Sequence, residues 1–175
     1  MGLPRTGRAT QDVLDRLASF TVPGPLVAGG GPSRVEVDLP HQVLFLYQGD
    51  ALAKVLPVST GSGQHYCEEG ECGVANTPVG GFRVERHLPG WVKSPLGRLF
   101  NPVYFKSGYA IHGFPSVPTD PASHGCVRIP MSAAAWFPDR VPDGTPVYVV
   151  DGHSPISPLP PPAPAAPPVP APAPG

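Results

Sequence analysis

Val35-Glu36-Val37-Asp38-Leu39 alternates apolar and polar side chains, the two-residue period of a strand with one buried face. Two more apolar-rich runs follow at 42–47 and 51–58, joined by Gln48-Gly49-Asp50, a composition suited to a hairpin turn. Together they predict an opening β-meander. Further strand-like runs occupy 81–85, 109–113 and 147–151. A helical period is confined to two places. Residues 8–20 bring Val13, Leu14, Leu17 and Phe20 to one face, and 132–137 reads as one short helix capped by Ser132 and stopped by Pro138. The pattern predicts a mainly β domain of short strands, as in sandwiches or barrels, with one or two short helices and a short N-terminal helix.

The ends of the chain break this pattern. Residues 23–32 are dense in glycine and proline, including Gly29-Gly30-Gly31, and read as a flexible linker. From His153 onward the chain is almost entirely Pro, Ala and Ser. That composition buries too little apolar area to offset ordering entropy, so a disordered or polyproline II tail is expected, serving as an inert spacer or as an SH3-type ligand. The division is therefore a helical segment at 1–22, a linker at 23–32, a domain at 33–152 and a tail at 153–175. A length of 175 residues suits one domain with such appendages. Charged residues make up 14% against the usual ~25%, which favours turns and short strands over long solvated helices. A net charge of −1 with scattered Lys and Arg argues against nucleic-acid binding. No run of eighteen apolar residues exists, so no transmembrane helix is expected, and the first twenty residues lack the apolar core of a secretory signal.

The candidate chemistry lies at Ser123-His124-Gly125-Cys126-Val127-Arg128, with Ile111-His112-Gly113 upstream. A thiol attacks carbonyl carbon as thiolate and needs an imidazole or a positive charge to reach that form at neutral pH. Here both are at hand. Gly125 permits a sharp turn that aims backbone N–H groups at an oxyanion, so the motif reads as a cysteine acyl-transfer site. Two other readings stand beside it: a buried structural cysteine, and a zinc site on His112, His124 and Cys126. Cys67 and Cys72 form a separate C-x4-C pair, open to a disulfide, to two free thiols, or to a metal site with His65 and nearby glutamates.

The motif and its surroundings resemble the catalytic domain of the L,D-transpeptidases, the YkuD-domain family, cysteine enzymes that cross-link bacterial peptidoglycan. Ser123 to Arg128 begins eleven positions after His112, as the family's hallmark requires. Val58-Ser59-Thr60-Gly61 and Thr77-Pro78-Val79-Gly80-Gly81-Phe82 resemble its upstream stretches, and Ala135-Trp136-Phe137 and Gly144-Thr145-Pro146-Val147 its closing elements. The similarity runs from about residue 33 to 151. Gly2-Leu3-Pro4-Arg5-Thr6-Gly7 resembles the end of a peptidoglycan-binding module, too short to build one.

The resemblance implies a sandwich fold and a set of roles. Cys126 is the expected nucleophile and His112 its base, oriented by the Gly113 carbonyl. Gly125 and Cys126 are expected to supply the oxyanion hole, with His124 in a catalytic or structural role. Ser123, Arg128, Tyr104 and Tyr109 are candidates for substrate contact. Arg128 stands where many members carry Asn, and tyrosines in strands, as Tyr104 and Tyr109 are read here, are more often core than pocket wall. The implied reaction is acyl transfer from a tetrapeptide stem to a diaminopimelate amine, with release of D-alanine and formation of 3-3 cross-links. Hydrolysis at the same site and a non-catalytic wall-binding role are the alternatives. Neither cofactor nor metal is implied. Peptidoglycan stem peptides are the expected partners, carbapenems the expected covalent inhibitors, and the cell wall or periplasm the expected location.

Overall fold

Val35 and Val37 on one strand and Val147 and Val149 on its neighbour are completely buried, and they face Val103, Ile111, Val127 and Ile129 of a second layer. This apolar seam is the core of a β-sandwich. A computed structural model describes residues 8–19, 21, 24–68 and 70–161. The elements in chain order are α1 (Gln11–Ala18), β1 (Arg34–Asp38), β2 (Val43–Gln48), β3 (Ala51–Pro57), β4 (His65–Glu68), β5 (Glu71–Val74), β6 (Gly80–Arg83) and β7 (Arg86–His87). There follow β8 (Trp91–Ser94), β9 (Gly97–Lys106), β10 (Tyr109–Phe114), β11 (Val127–Pro130), α2 (Met131–Ala134), α3 (Phe137–Arg140) and β12 (Pro146–Val150).

One sheet has the order β3-β2-β1-β12-β6; the other runs β11-β10-β9-β7, with β8 also paired to β9. β4 and β5 form a separate ribbon. The expected meander is present as β1 to β3. Its turn has positive φ at both Gly49 (58°) and Asp50 (67°), the backbone twist that suits a tight hairpin. Two pairings are parallel: β1 with β12, and β10 with β11, where Ile111 lies opposite Val127 and His112 opposite Arg128.

The helical expectation needs correction. In place of one helix at 132–137 there are two single turns, and the N-cap of α2 is Pro130, with no capping bond from Ser132. Pro138 does not stop a helix; it lies in the first turn of α3, where its missing N–H costs no hydrogen bond. These turns close one end of the sandwich. They press so near to β10 that a Cβ on Gly113 would lie 2.6 Å from Ala134 Cβ. The N-terminal helix forms at Gln11–Ala18, where Leu14 and Leu17 are each 50% exposed and no residue is buried. Phe20 and residues 2–7 lie outside the described residues.

The segment expected to be a flexible linker is instead anchored to the domain at Leu26, Val27, Gly30 and Gly31. Val27 is buried, the Leu26 N–H donates to Glu36 Oε2 at 2.7 Å, and Gly31 O accepts from Arg34. The reason is chemical. β1 is buried on both faces, and its outer face carries the ion pair Arg34–Glu36 at 2.7 Å, which needs a polar cover. The tail also contributes. Residues 153–161 hold no helix or strand, yet the Leu159 N–H donates to Tyr148 Oη at 3.0 Å while that hydroxyl donates to Gly30 O at 3.1 Å. Residues beyond 161 lie outside the described part. No helix among the described residues is long and apolar enough to cross a membrane.

Candidate active site

Side chains alternate along β10 and β11, so the two strands sort their residues onto two faces. Ile111, Val127 and Ile129 enter the core. His112, Cys126 and Arg128 take the other face and line one cavity of about 380 Å³. Parallel register brings the imidazole on β10 and the thiol, fourteen positions later in sequence and immediately before β11, to neighbouring positions on that face.

Cys126 follows a turn that leaves little freedom. Gly125 has φ 135°, and a Cβ there would lie 2.8 Å from the Tyr109 ring and 2.9 Å from Asn76 O, so a side chain is excluded both by backbone conformation and by space. The Ser123 hydroxyl braces the turn from inside: it accepts from the Gly125 N–H at 3.0 Å and donates to Cys126 O at 2.5 Å. Thr77 Oγ1 donates to Gly125 O at 2.7 Å and accepts from the Gly61 N–H at 2.8 Å. Ser59-Thr60-Gly61 fastens the preceding loop, with Ala122 and Ser123 N–H both donating to Thr60 O at 2.9 Å. Three separated segments, at 59–61, 76–77 and Tyr109, thereby hold one short turn.

These bonds correct two expectations. The Gly125 N–H is engaged by Ser123 and is not available to an oxyanion. Ser123 is buried, with its hydroxyl engaged within the turn rather than offered to a ligand.

His112 is 4% exposed, and its Nδ1–H donates to Gly113 O at 3.0 Å. A carbonyl only accepts, so Nδ1 carries the proton and Nε2 presents its lone pair. Burial, helped by the Arg128 charge and opposed by the Gly113 bond, lowers the imidazole pKa to about 4. Burial also raises the Cys126 thiol, against the pull of a backbone hydrogen bond at Ala110 and of Arg128. Near neutrality the pair is therefore thiol and neutral imidazole.

The Arg128 guanidinium lies 4.2 Å from the Phe114 ring centroid. Its own pKa is lowered by burial, with the Cys126 charge opposing. Tyr104 is buried beneath the Arg86 guanidinium, 4.1 Å from its ring centroid, and Tyr109 packs against Gly125; both tyrosines line the cavity.

His124 is turned toward the β4–β5 ribbon. Its Nε2 pairs with Glu68 Oε1 at 3.2 Å and its ring meets Tyr66 edge-on, centroids 5.0 Å apart. Cys67 and Cys72 are joined by a disulfide across that ribbon. Among the described residues, no three His, Cys, Asp or Glu side chains converge on a point suited to a metal ion.

Thr77, Glu68, Tyr66 and Arg86 belong to this neighbourhood and were not singled out in the sequence. Thr77 carried a signal as the first residue of a recognisable stretch, and Glu68 only as one of the glutamates near His65; Tyr66 and Arg86 arrive by tertiary folding.

Residues 32–149 match the family model described as the L,D-transpeptidase catalytic domain. A crystal structure of the L,D-transpeptidase from Xylanimonas cellulosilytica is 35% identical, with TM-score 0.78, over 85% of this chain and 74% of that one. The L,D-transpeptidase of Stackebrandtia nassauensis is 23% identical, with TM-score 0.58, over 82% and 67%. An LD transpeptidase named LdtMt1, solved in complex with imipenem, is 20% identical, with TM-score 0.54, over 68% and 59%. A comparison with curated proteins finds no match.

Proposed function

This chain belongs to the L,D-transpeptidase family, and on that premise we propose that its Cys126 transfers the acyl group of a peptidoglycan tetrapeptide stem to an amine of a neighbouring stem. The observation that carries the reading is the placement of His112 on β10 and Cys126 at the entry to the adjacent β11, both lining one cavity, with Nε2 of His112 left as the acceptor.

The steps follow from the protonation states. His112 Nε2 takes the thiol proton as Sγ attacks the carbonyl joining the third stem residue to D-alanine. Proton transfer and attack proceed together, since neither ion is stable alone in this setting. The Cys126 N–H, held by the braced turn, is our assignment for the oxyanion donor in place of Gly125. The C–N bond breaks, D-alanine leaves with the proton from His112, and a thioester remains on Cys126. The diaminopimelate amine of a second stem then attacks the thioester, yields its proton to His112, and forms the 3-3 cross-link as the thiol is restored. Arg128 supplies positive potential beside Sγ, and His124 holds the turn against the β4–β5 ribbon through Glu68.

Residues 33–152 are our assignment for the catalytic unit. Its substrate is peptidoglycan, which places the work outside the cytoplasm. Solved relatives include an imipenem complex, which supports Cys126 as a target of carbapenem acylation here as well. The test is incubation with disaccharide tetrapeptides followed by mass analysis. A cross-linked dimer and free D-alanine are expected, and Cys126→Ala abolishes both. Tripeptide without dimer would mean that water is the acceptor, and no change in the stem would refute the acyl-transfer reading.

A further inference from the structure

We propose that Arg86 is a specificity-determining residue that binds the carboxylate at the far end of the donor's third side chain. The assignment rests on the acyl-transfer reading above and concerns which stem the site accepts.

A row of residues crosses the cavity face of the second sheet. Arg86 on β7 is paired in register with Tyr104 on β9, and Tyr104 with Ala110 on β10. Cys126 packs against the cluster of Leu99, Tyr104 and Ala110. The row thus runs guanidinium, aromatic ring, methyl group, thiol. The Tyr104 ring, backed by the buried Ala110, forms an apolar floor between the nucleophile and the charge, and Arg86, Tyr104 and Cys126 all line the cavity.

The spacing suits a particular substrate arm. Strands lie about 4.8 Å apart, so the backbone of Tyr104, two strands over from the one that Cys126 leads into, is roughly 10 Å from that of Cys126, and the Arg86 guanidinium sits over the Tyr104 ring. In diaminopimelate, six carbon–carbon bonds of about 1.5 Å separate the reacting carbonyl from the remote carboxylate, a reach of roughly 8 Å when the zigzag is extended. Contact distances at each end make up the remainder. Three methylenes of that arm would cross the apolar floor.

Among the described residues Arg86 has no carboxylate partner, and its side chain is exposed at the cavity. A guanidinium held over a ring and exposed at the cavity is placed to bind a bidentate carboxylate. Arg98 also borders the cavity, but it lies over Trp91, off this row. Arg128 stands beside the thiol itself.

Lysine is the same arm without the remote carboxylate, which gives the test. D-alanine release is measured with tetrapeptide donors carrying meso-diaminopimelate or lysine at the third position. The wild-type chain is expected to favour diaminopimelate by about tenfold or more in kcat/KM. Arg86→Gln is expected to bring the two donors within about threefold of each other, chiefly through KM, and Arg86→Lys to restore part of the preference. A wild-type ratio near one, or a ratio that Arg86→Gln does not move, overturns this assignment and leaves the acyl-transfer reading intact. Failure of the wild-type chain to release D-alanine from either donor overturns both.

Discussion

Titrating the reactivity of Cys126 against pH tests the electrostatics of the site directly. Burial raises the thiol and lowers His112 to about 4, so the neutral thiol–imidazole pair is the resting state across the neutral range. An ordinary thiol near pKa ~8.5 is about 3% thiolate at pH 7, and a raised one less. Below its pKa the thiolate fraction climbs tenfold per pH unit, so alkylation by iodoacetamide is expected to accelerate about 100-fold between pH 6 and pH 8. A resting thiolate–imidazolium pair would behave differently, with a rate already level in that interval. The disulfide removes Cys67 and Cys72 from the reaction, so the mass of the Cys126 peptide against time reports one site. Arg128 favours the thiolate; Arg128→Met is therefore expected to move the inflection to higher pH and slow alkylation at any fixed pH below it. A rate independent of pH between 6 and 8, or an inflection near the imidazole value, would refute the argument.

Two further outcomes follow from the packing. Glu36→Gln leaves the buried Arg34 without its counter-charge and is expected to lower unfolding free energy by about 3 kcal/mol, read from urea denaturation; a loss under about 1 kcal/mol would mean that water reaches the pair. Gly125→Ala forces a methyl group against Tyr109 and Asn76 at positive φ, at a cost of about 1–3 kcal/mol. A displacement of Sγ by an ångström is expected to slow carbapenem acylation about 100-fold in a chain that still folds, and acylation at the wild-type rate would contradict the account of the turn.

The sequence disclosed what depends on local pattern. The alternation of 35–39 and the Gly49-Asp50 turn made the first three strands legible, and the spacing from His112 to Cys126 carried the candidate site. What it hid depends on distant partners. β4, β5, β7, β8 and β11 are two to four residues long, and so short a run shows little period. The 24–31 segment looked like a linker because its glycines and prolines say nothing of Glu36, whose carboxylate lies on a strand ten residues away. The same holds within the site. Gly125 was expected to donate to an oxyanion, and only the fold discloses that the Ser123 hydroxyl lies beneath its N–H. Arg86 shows no pattern in the chain at all; its relation to Cys126 exists only across three strand pairings.

The Tyr148 hydroxyl touches both the segment that enters the sandwich and the one that leaves it. That hydroxyl lies on the outer face of the first sheet, while the thiol lies on the outer face of the second. Entry and exit therefore share one side of the molecule, and the cleft looks out from the opposite side. Such a body can be moored by either end, or carry a reporter fused there, and still turn an unobstructed working surface toward a polymer mesh too large to diffuse to it.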